Sequence, residues 1–207
     1  MFNRRHFLTL AGGMVAGSPP RSAAAAEPSG IVTELTGKAS AHGADVERLL
    51  TLGAVVQIGD WLQTAPKSRL SLTFGRSTVI TLGPSTQLRI ERHLAEAGGE
   101  FELVEGSMFY EHARKPTDAP QKTVVRSPYG LLAVRGTKFF AGPSAGEFGV
   151  FVAQGRVDYT SAGATVVLHP GFGSGVRRRG DRPSRPVSWR PQRISEALLR
   201  TIGRATP

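Results

Sequence analysis

The amino-acid sequence predicts an all-β protein built from many short strands. Three observations support this: apolar and polar residues alternate over segments of about four to six residues, turn-forming residues separate the segments, and Val, Ile, Thr and Phe dominate them. The 25 glycines and 14 prolines suit a chain that turns often. No segment between residues 30 and 170 has a convincing helical period. A short-stranded β-sandwich, a barrel and a β-solenoid all fit this pattern.

The candidate strands follow one another at short intervals along residues 30–168. The clearest is 69–74, in which Leu70, Leu72 and Phe74 alternate with polar residues. An apolar pair followed by glycine and a second apolar segment recurs loosely, which favours strands that return around one core. The predicted strands are 31–35, 54–58, 69–74, 78–82, 87–90, 101–105, 108–110, 123–125, 131–134, 138–140, 149–152, 157–159 and 165–168.

Residues 1–26 predict a cleavable export signal. Arg4 and Arg5 give a charged start, a short apolar stretch follows, and four consecutive alanines supply the small residues of a cleavage site. The two arginines with Phe7 and Leu8 resemble a twin-arginine signal. The apolar stretch is shorter than the roughly 20 residues that a membrane span needs, and no later segment is long and apolar enough. We therefore expect a mature chain in the periplasm.

The net charge of +10 lies at the two ends of the chain. Residues 1–26 carry three arginines and no acid, whereas residues 27–175 carry as many acidic as basic side chains. The last region, 176–207, has nine arginines against Asp181 and Glu196. Because the predicted β region is neutral, we expect no basic groove and no nucleic-acid partner.

Residues 176–207 predict a linker followed by a short helix. The Arg- and Pro-rich part at 177–186 indicates an extended, largely disordered segment. Residues 192–203 have the period of an amphipathic helix, which at this length is marginal alone and needs a surface to lie on. That surface is an open end of the β core, a partner protein or anionic phospholipid headgroups. The apolar stripe consists of Ile194, Leu198, Leu199 and Ile202.

The sequence offers little for catalysis, and we expect no enzyme, no metal and no cofactor. It has no cysteine, its histidines lack the paired spacing of a metal site, and no Gly-x-Ser-x-Gly elbow is present. Residues 171–175 are glycine-rich but lack the Lys-Ser/Thr of a phosphate loop, which predicts a flexible exit from the last strand. Four carboxylates could flank a sugar as an acid pair, but Glu100 and Glu102 share a strand face and are expected on its solvated side. The four are Glu100, Glu102, Glu105 and Glu111.

Two sequence blocks stand out from the strand pattern. They are Gly59-Asp60-x-Leu62-x-Thr64 and Val134-Arg135-Gly136-Thr137-x-Phe139. Together with flanking residues from Gly37-x-Ala39 to Leu168-x-Pro170-Gly171, they keep a fixed order over about residues 31–175. This series resembles a FecR domain. The resemblance implies a sandwich- or solenoid-like β domain over residues 27–175.

The motif residues are expected to be mainly structural. Gly59-Asp60 and Gly136-Thr137 have the composition of turns, since glycine permits positive φ and Asp or Thr bonds back to the backbone. Arg135 is expected at the edge of the core, with its stem buried and its head bonded to loop carbonyls. Alternatively, Arg135 contacts a ligand or partner. Thr64 and Phe139 complete the motif set.

The resemblance implies an interaction or signal-sensing module of the cell envelope. FecR-family regulators pass an outer-membrane transport signal to an anti-sigma segment across the inner membrane. Here a cleaved signal is expected in place of their cytoplasmic region and membrane span. We therefore expect a non-enzymatic periplasmic module that binds another envelope protein through Arg135 and the helix stripe, with at most peripheral membrane contact. The alternatives are a glycan- or peptidoglycan-binding accessory protein, which the scarcity of tryptophan (Trp61 and Trp189) disfavours, and then an uncharacterised hydrolase.

Overall fold

A computed structural model describes residues 28–43, 46–94, 98–113 and 122–204. These residues form one curved sheet of sixteen strands and a single C-terminal helix, which confirms the all-β prediction. The predicted signal motif, Arg4, Arg5, Phe7 and Leu8, lies outside the described residues. The elements are β1 (Pro28–Thr36), β2 (Ala39–Gly43), β3 (Val46–Leu49), β4 (Val55–Gln57), β5 (Trp61–Thr64), β6 (Arg69–Phe74), β7 (Thr78–Leu82), β8 (Gln87–Leu94), β9 (Gly98–Glu105), β10 (Met108–His112), β11 (Lys122–Ser127), β12 (Gly130–Ser144), β13 (Glu147–Ser161), β14 (Ala164–Leu168), β15 (Phe172–Val176), β16 (Val187–Ser188) and α1 (Pro191–Ile202).

The sheet divides into two wings on one side of the long strand β12. The first half of β12 pairs with β11, which begins wing I in the order β11-β9-β8-β5-β2-β3. The second half pairs with β10, which begins wing II in the order β10-β7-β6-β1-β4. The strand pairs are antiparallel except β9–β11, which is parallel. On the other side of β12 lies β13, which in turn carries β14 and β15.

The two wings face each other across one hydrophobic core. Phe74 of wing II packs edge-on against Phe101 of wing I, with ring centroids 5.6 Å apart, although four strands separate β6 from β9 in the sheet order. The sheet must therefore fold over on itself. The wings meet again at their free edges, because residues 50–54 connect β3 directly to β4 and hydrogen-bond to Ala39 and Val32. The fold is thus sandwich-like in its core but continuous in its sheet.

Strands β12 and β13 are longer than the sequence predicts. Each was expected as two short strands, 131–134 with 138–140 and 149–152 with 157–159, because Gly136 and Gly155 interrupt the alternation. In the structure each glycine adopts positive φ (+55° and +87°) inside a continuous strand of fifteen residues. The ladder between them shifts register at this point, so the interruption is a β-bulge and the prediction of a Gly136-Thr137 turn is wrong.

Several strands escaped prediction because glycine and alanine carry their inward positions. Ala39 and Ala41 are the buried residues of β2, and small side chains give a weak periodic signal. Residues 171–175, expected as a flexible exit, contribute instead to β15. A Cβ on Gly173 would overlap the Trp189 indole, and one on Gly175 would overlap the Glu147 carboxylate. Glycine is therefore needed there for close packing.

The Arg- and Pro-rich segment is not the largely disordered linker that the sequence predicts, because residues 178–181 form a turn and Asp181 and Ser184 bond to the sheet. Ser184 N–H donates to the Gly175 carbonyl at 2.9 Å, and Ser161 Oγ donates to the Asp181 carbonyl at 2.8 Å. The segment then enters β16, which pairs with β15. It leads into α1, whose first residue is a proline and whose end is capped by Gly203 in the left-handed conformation.

Candidate interaction surfaces

The first motif block holds the turn between β4 and β5 through a buried carboxylate. Asp60 is 1% exposed, and it accepts a 2.7 Å hydrogen bond from the Gln57 N–H and an ion pair from Arg48. Gly59 has a φ of +92° and donates its N–H to the Ile90 carbonyl at 2.7 Å. These bonds tie the β4–β5 turn to β8 and to edge strand β3. Gly59 and Asp60 therefore act as turn formers, as expected.

Thr64 begins a chain of buried hydroxyls that ends on the helix. Its Oγ1 donates to the Gly83 carbonyl at 2.6 Å and accepts the Thr86 N–H at 2.9 Å. The Thr86 hydroxyl accepts the Ser107 N–H at 3.0 Å, and the Ser107 hydroxyl bonds to that of Thr201 at 2.8 Å. This chain connects β5, two turns and α1, so Thr64 is structural.

The second motif block marks the point where the wings diverge. Arg135 stands opposite Lys122 of β11, whereas Lys138, three residues later, stands opposite Glu111 of β10. The two-residue bulge at Gly136-Thr137 thus switches the partner of β12. Thr137 is buried, and within the described part of the chain its hydroxyl has no hydrogen-bond partner, so the expected bond to the backbone is not seen there.

The side chains of Arg135 and Phe139 point to opposite environments. Phe139 is fully buried and stacks on Tyr110, with centroids 5.4 Å apart. Arg135 is exposed and forms no hydrogen bond or ion pair with the described part of the chain. The expectation of a buried stem and a head bonded to loop carbonyls is therefore wrong. Its guanidinium is accessible, so partner contact remains a prediction.

A cluster of exposed apolar side chains lies where the free edges of the wings meet. We call this cluster the seam; its side chains are 44% to 77% exposed. Strands β3 and β4 are the two ends of the sheet order, so each leaves one edge unpaired within the described residues. Exposed apolar residues on unpaired strand edges are typical of surfaces that add a strand from another chain. The seam residues are Ile31, Leu49, Leu52 and Val55.

A concave surface lies between the β12–β13 turn and the tail. This cleft of about 760 Å³ is lined by Tyr129 and Phe148, whose rings stack at 4.7 Å, and by Arg177, Arg179 and Arg200. Glu105, Glu147 and Glu196 also line it, so acids and bases balance at its wall. The arginines of the tail therefore do not give the cleft a net positive charge.

Part of the chain matches a known protein-family model. The family model described as FecR protein matches residues 60–158, which run from Asp60 through the second motif block. Residues 60–158 therefore match a FecR domain. The resemblance carried by the Gly-Asp-x-Leu-x-Thr and Val-Arg-Gly-Thr-x-Phe blocks is confirmed. No curated protein sequence matches the chain.

Two crystal structures share the fold of this FecR domain. Both are of proteins from Parabacteroides distasonis ATCC 8503, each described as a "putative anti-sigma factor". One, at 2.50 Å resolution, is 17% identical with a TM-score of 0.54, and the match covers 67% of this chain and 63% of that one. The other, at 1.65 Å, is 16% identical with a TM-score of 0.51, and the match covers 69% of this chain and 74% of that one. At these identities the likeness establishes the fold alone.

The tail helix packs on the FecR domain itself. Leu198 is fully buried in a second apolar cluster on the outer face of wing II, and Ile194 and Ile202 pack against that cluster. The cluster also contains Phe109, Phe140, Phe151, Trp189 and Ala197. Of the four stripe residues predicted as partner contacts, Leu199 alone is largely exposed, at 48%. Leu198 is not accessible to a partner in this packing.

An arginine fixes the helix to the β12–β13 turn. Arg193 lies 3.8 Å from the Trp189 ring centroid, donates to Ser144 Oγ at 3.0 Å and pairs with Glu147 at 2.9 Å. The helix is therefore held by apolar, cation–π and ionic contacts together. Among the described residues, no helix has the length and apolarity needed to cross a membrane.

Two of the four candidate acids, Glu100 and Glu111, are engaged in surface ion pairs. Glu100 lies between Arg92 and Arg126, and Glu111 lies between Lys138 and Arg204. Although desolvation would raise the pKa of Glu100, the bonds and charges of Arg92 and Arg126 lower it on balance. A general acid needs the opposite shift. Within the described residues, no group of three or more His, Cys, Asp or Glu side chains could hold a metal ion.

Proposed function

We propose that this protein is a non-enzymatic FecR-type sensing module that acts in the periplasm by binding another envelope protein. The match of residues 60–158 to the FecR family supports a signalling role rather than a catalytic one. The observation that carries the proposal is the seam, where two unpaired strand edges meet beside four exposed apolar side chains. A monomeric protein seldom leaves such residues together at a strand edge without a use for them.

The partner is proposed to contribute an extended segment to the seam. Strand addition supplies main-chain hydrogen bonds for affinity and lets alternate side chains of the partner contact Leu49, Leu52 and Val55. The tail helix is not proposed as the docking element, because its apolar face is already packed on wing II.

The partner surface can be mapped by photocrosslinking in cells that export the protein by its own signal. A crosslinking residue is placed at Leu52, and the same residue is placed at Leu199 on the helix as a matched exposed site. We expect a discrete protein adduct from position 52 that is absent at position 199. The adduct should weaken at least about tenfold on Leu49→Glu, because a charge opposes apolar contact, and persist on Leu199→Glu.

Two other outcomes contradict the proposed surface. An adduct that forms at position 199 and is lost with Leu199→Glu would assign partner binding to the tail helix. No adduct at either position, with normal amounts of folded protein, would remove the protein-partner proposal. The truncation of the whole tail is unsuitable as a control because it strips the apolar cover from wing II.

The periplasmic location is proposed from the sequence of residues 1–26. Replacing both Arg4 and Arg5 by lysine should abolish export by the twin-arginine route and leave full-length precursor in the cytoplasm. Cell fractionation with mass measurement of the N-terminus tests this. Unchanged export and cleavage of the double variant would show that the general secretory route carries the protein.

A further inference from the structure

The outer face of wing I carries two complete rows of side chains across neighbouring strands. Strand pairing places Trp61 of β5 between His42 of β2 and Arg89 of β8. It places Gln63 between Ser40 and Gln87 in the row beside it. Side chains at directly opposed positions on one face lie about 5 Å apart, so these residues form a contiguous patch. Glu47 of β3 stands opposite His42 and closes one end.

This polar patch forms a shallow depression around one indole. The depression has a volume of about 250 Å³ and is lined by Ser40, His42, Glu47, Trp61, Gln63 and Gln87. The guanidinium of Arg89 lies 5.3 Å from the centroid of the half-buried Trp61 ring and is itself paired with Glu91 at 3.1 Å. The cation–π contact fixes the indole against the sheet.

Five polar side chains of the patch are free of partners among the described residues, so they are available to a ligand. Within the described residues, the side chains of Ser40, His42, Glu47, Gln63 and Gln87 form no hydrogen bond or ion pair. Several other polar groups of the outer surface bond to one another. Examples are Arg92–Glu100–Arg126, Arg156–Asp158, Lys138–Glu111–Arg204 and Thr160–Thr165.

We infer that the polar patch binds a saccharide. A pyranose ring presents one face of C–H groups, which suits the indole of Trp61, and a rim of hydroxyls. The amides of Gln63 and Gln87 both donate and accept hydrogen bonds, as does the imidazole of His42, so they match a hydroxyl in either sense. A few convergent polar groups around an aromatic surface are the usual composition of a small-ligand site.

Other classes of ligand fit the patch less well. A peptide strand needs a free sheet edge, but β2, β5 and β8 are each paired on both sides. An anion needs an unpaired cation, whereas the depression itself contains the carboxylate of Glu47 and no arginine or lysine. Five neighbouring strands at about 4.8 Å spacing give the face a width of roughly 19 Å, which accommodates an oligosaccharide. This inference is independent of the proposed protein partner, which binds at the seam.

The two tryptophans of the chain make the test specific. Trp189 is buried beneath the helix, so a Trp189→Phe variant leaves Trp61 as the sole indole. The probes are chitotetraose, cellotetraose and maltotetraose in solution, and purified peptidoglycan sacculi in a cosedimentation assay. We expect one probe to bind with a Kd of about 1 mM or tighter, with a shift of Trp61 fluorescence in the Trp189→Phe protein. Calorimetry on the unaltered mature chain measures the same affinity without relying on that variant.

Substitutions inside and outside the polar patch test whether the patch is the binding site. Trp61→Ala should weaken binding at least about tenfold, and Gln63→Ala about threefold to tenfold. The matched control is Gln154→Ala, at an exposed position of β13, which should bind as the original protein does. Equal binding by Trp61→Ala and the original protein would overturn the inference. So would the failure of all four probes to bind a protein with normal circular dichroism.

Discussion

The outer faces of the two wings belong to one sheet but have opposite chemistry. Wing II presents Phe109 beside Phe140 of β12 and Phe151 of β13, and the chain covers these rings with its own tail helix. Wing I presents Ser40, His42, Trp61, Gln63 and Gln87, and the described residues leave them uncovered. The tail therefore completes the fold on the side of wing II, and the outer face of wing I and the seam are the candidate ligand surfaces.

The largest effect is expected from removing the centre of the aromatic cluster. Trp189→Ala should lower the free energy of unfolding by about 3–5 kcal/mol, because a buried indole leaves a cavity against Phe140 and Phe151. Chemical denaturation followed by circular dichroism measures it. Leu199→Ala, on the exposed side of the same helix, should change stability by less than about 0.5 kcal/mol. A loss under 1 kcal/mol for Trp189→Ala would show that the helix does not cover wing II in solution.

A smaller effect is expected at the polar anchor of wing I. Asp60→Asn should cost about 2–3 kcal/mol, because it removes the charge that Arg48 meets and weakens the acceptor of the Gln57 N–H. The same measurement applies. Asp158→Asn breaks an exposed pair with Arg156 and should cost about 0–1 kcal/mol. Equal costs for the two variants would contradict a structural role for the first motif block.

The smallest effect is expected at Glu100, an ion-paired residue on the outer face of wing I, and it depends on pH. Because Arg92 and Arg126 hold the pKa of Glu100 below its ordinary value of 4.5, the carboxylate stabilises the fold above that pH. This contribution is lost as the pH falls and the folded-state carboxyl takes up its proton. Glu100→Gln should be less stable than the original protein at pH 7 by under about 1 kcal/mol, and the two should converge at acidic pH once the folded-state carboxyl is protonated. A constant difference at both pH values would mean that Glu100 acts through packing rather than charge.

The sequence contains a signal that the outer face of some strands is covered. Residues 108–110, 139–141 and 150–152 are continuous apolar runs rather than alternating ones. Such runs are typical of strands buried on both faces, and here one face meets the core and the other meets α1. The runs indicated that something covers the outer face of these strands, although not that the covering element was the tail.

The polar patch and the seam could not be predicted from the sequence. Ser40, Trp61 and Gln87 are far apart in sequence, and only the register of β2, β5 and β8 makes them neighbours. Likewise, Leu49 and Ile31 share a surface only because the sheet folds until its two free edges meet. Nothing local in an exposed polar or apolar residue specifies which distant strand lies beside it.

By itself, the sequence determined the all-β class, the turn at Gly59-Asp60, the short amphipathic helix and the resemblance of residues 60–158 to a FecR domain. These depend on alternation, on glycine conformation and on motif spacing, all of which act over a few residues. Tertiary structure alone decided that Gly136-Thr137 is a bulge where the two wings part, that Arg135 is exposed, and that the helix stripe faces wing II. Those outcomes depend on which strands pair and in which register, and pairing is set by the burial of the whole core rather than by any one segment.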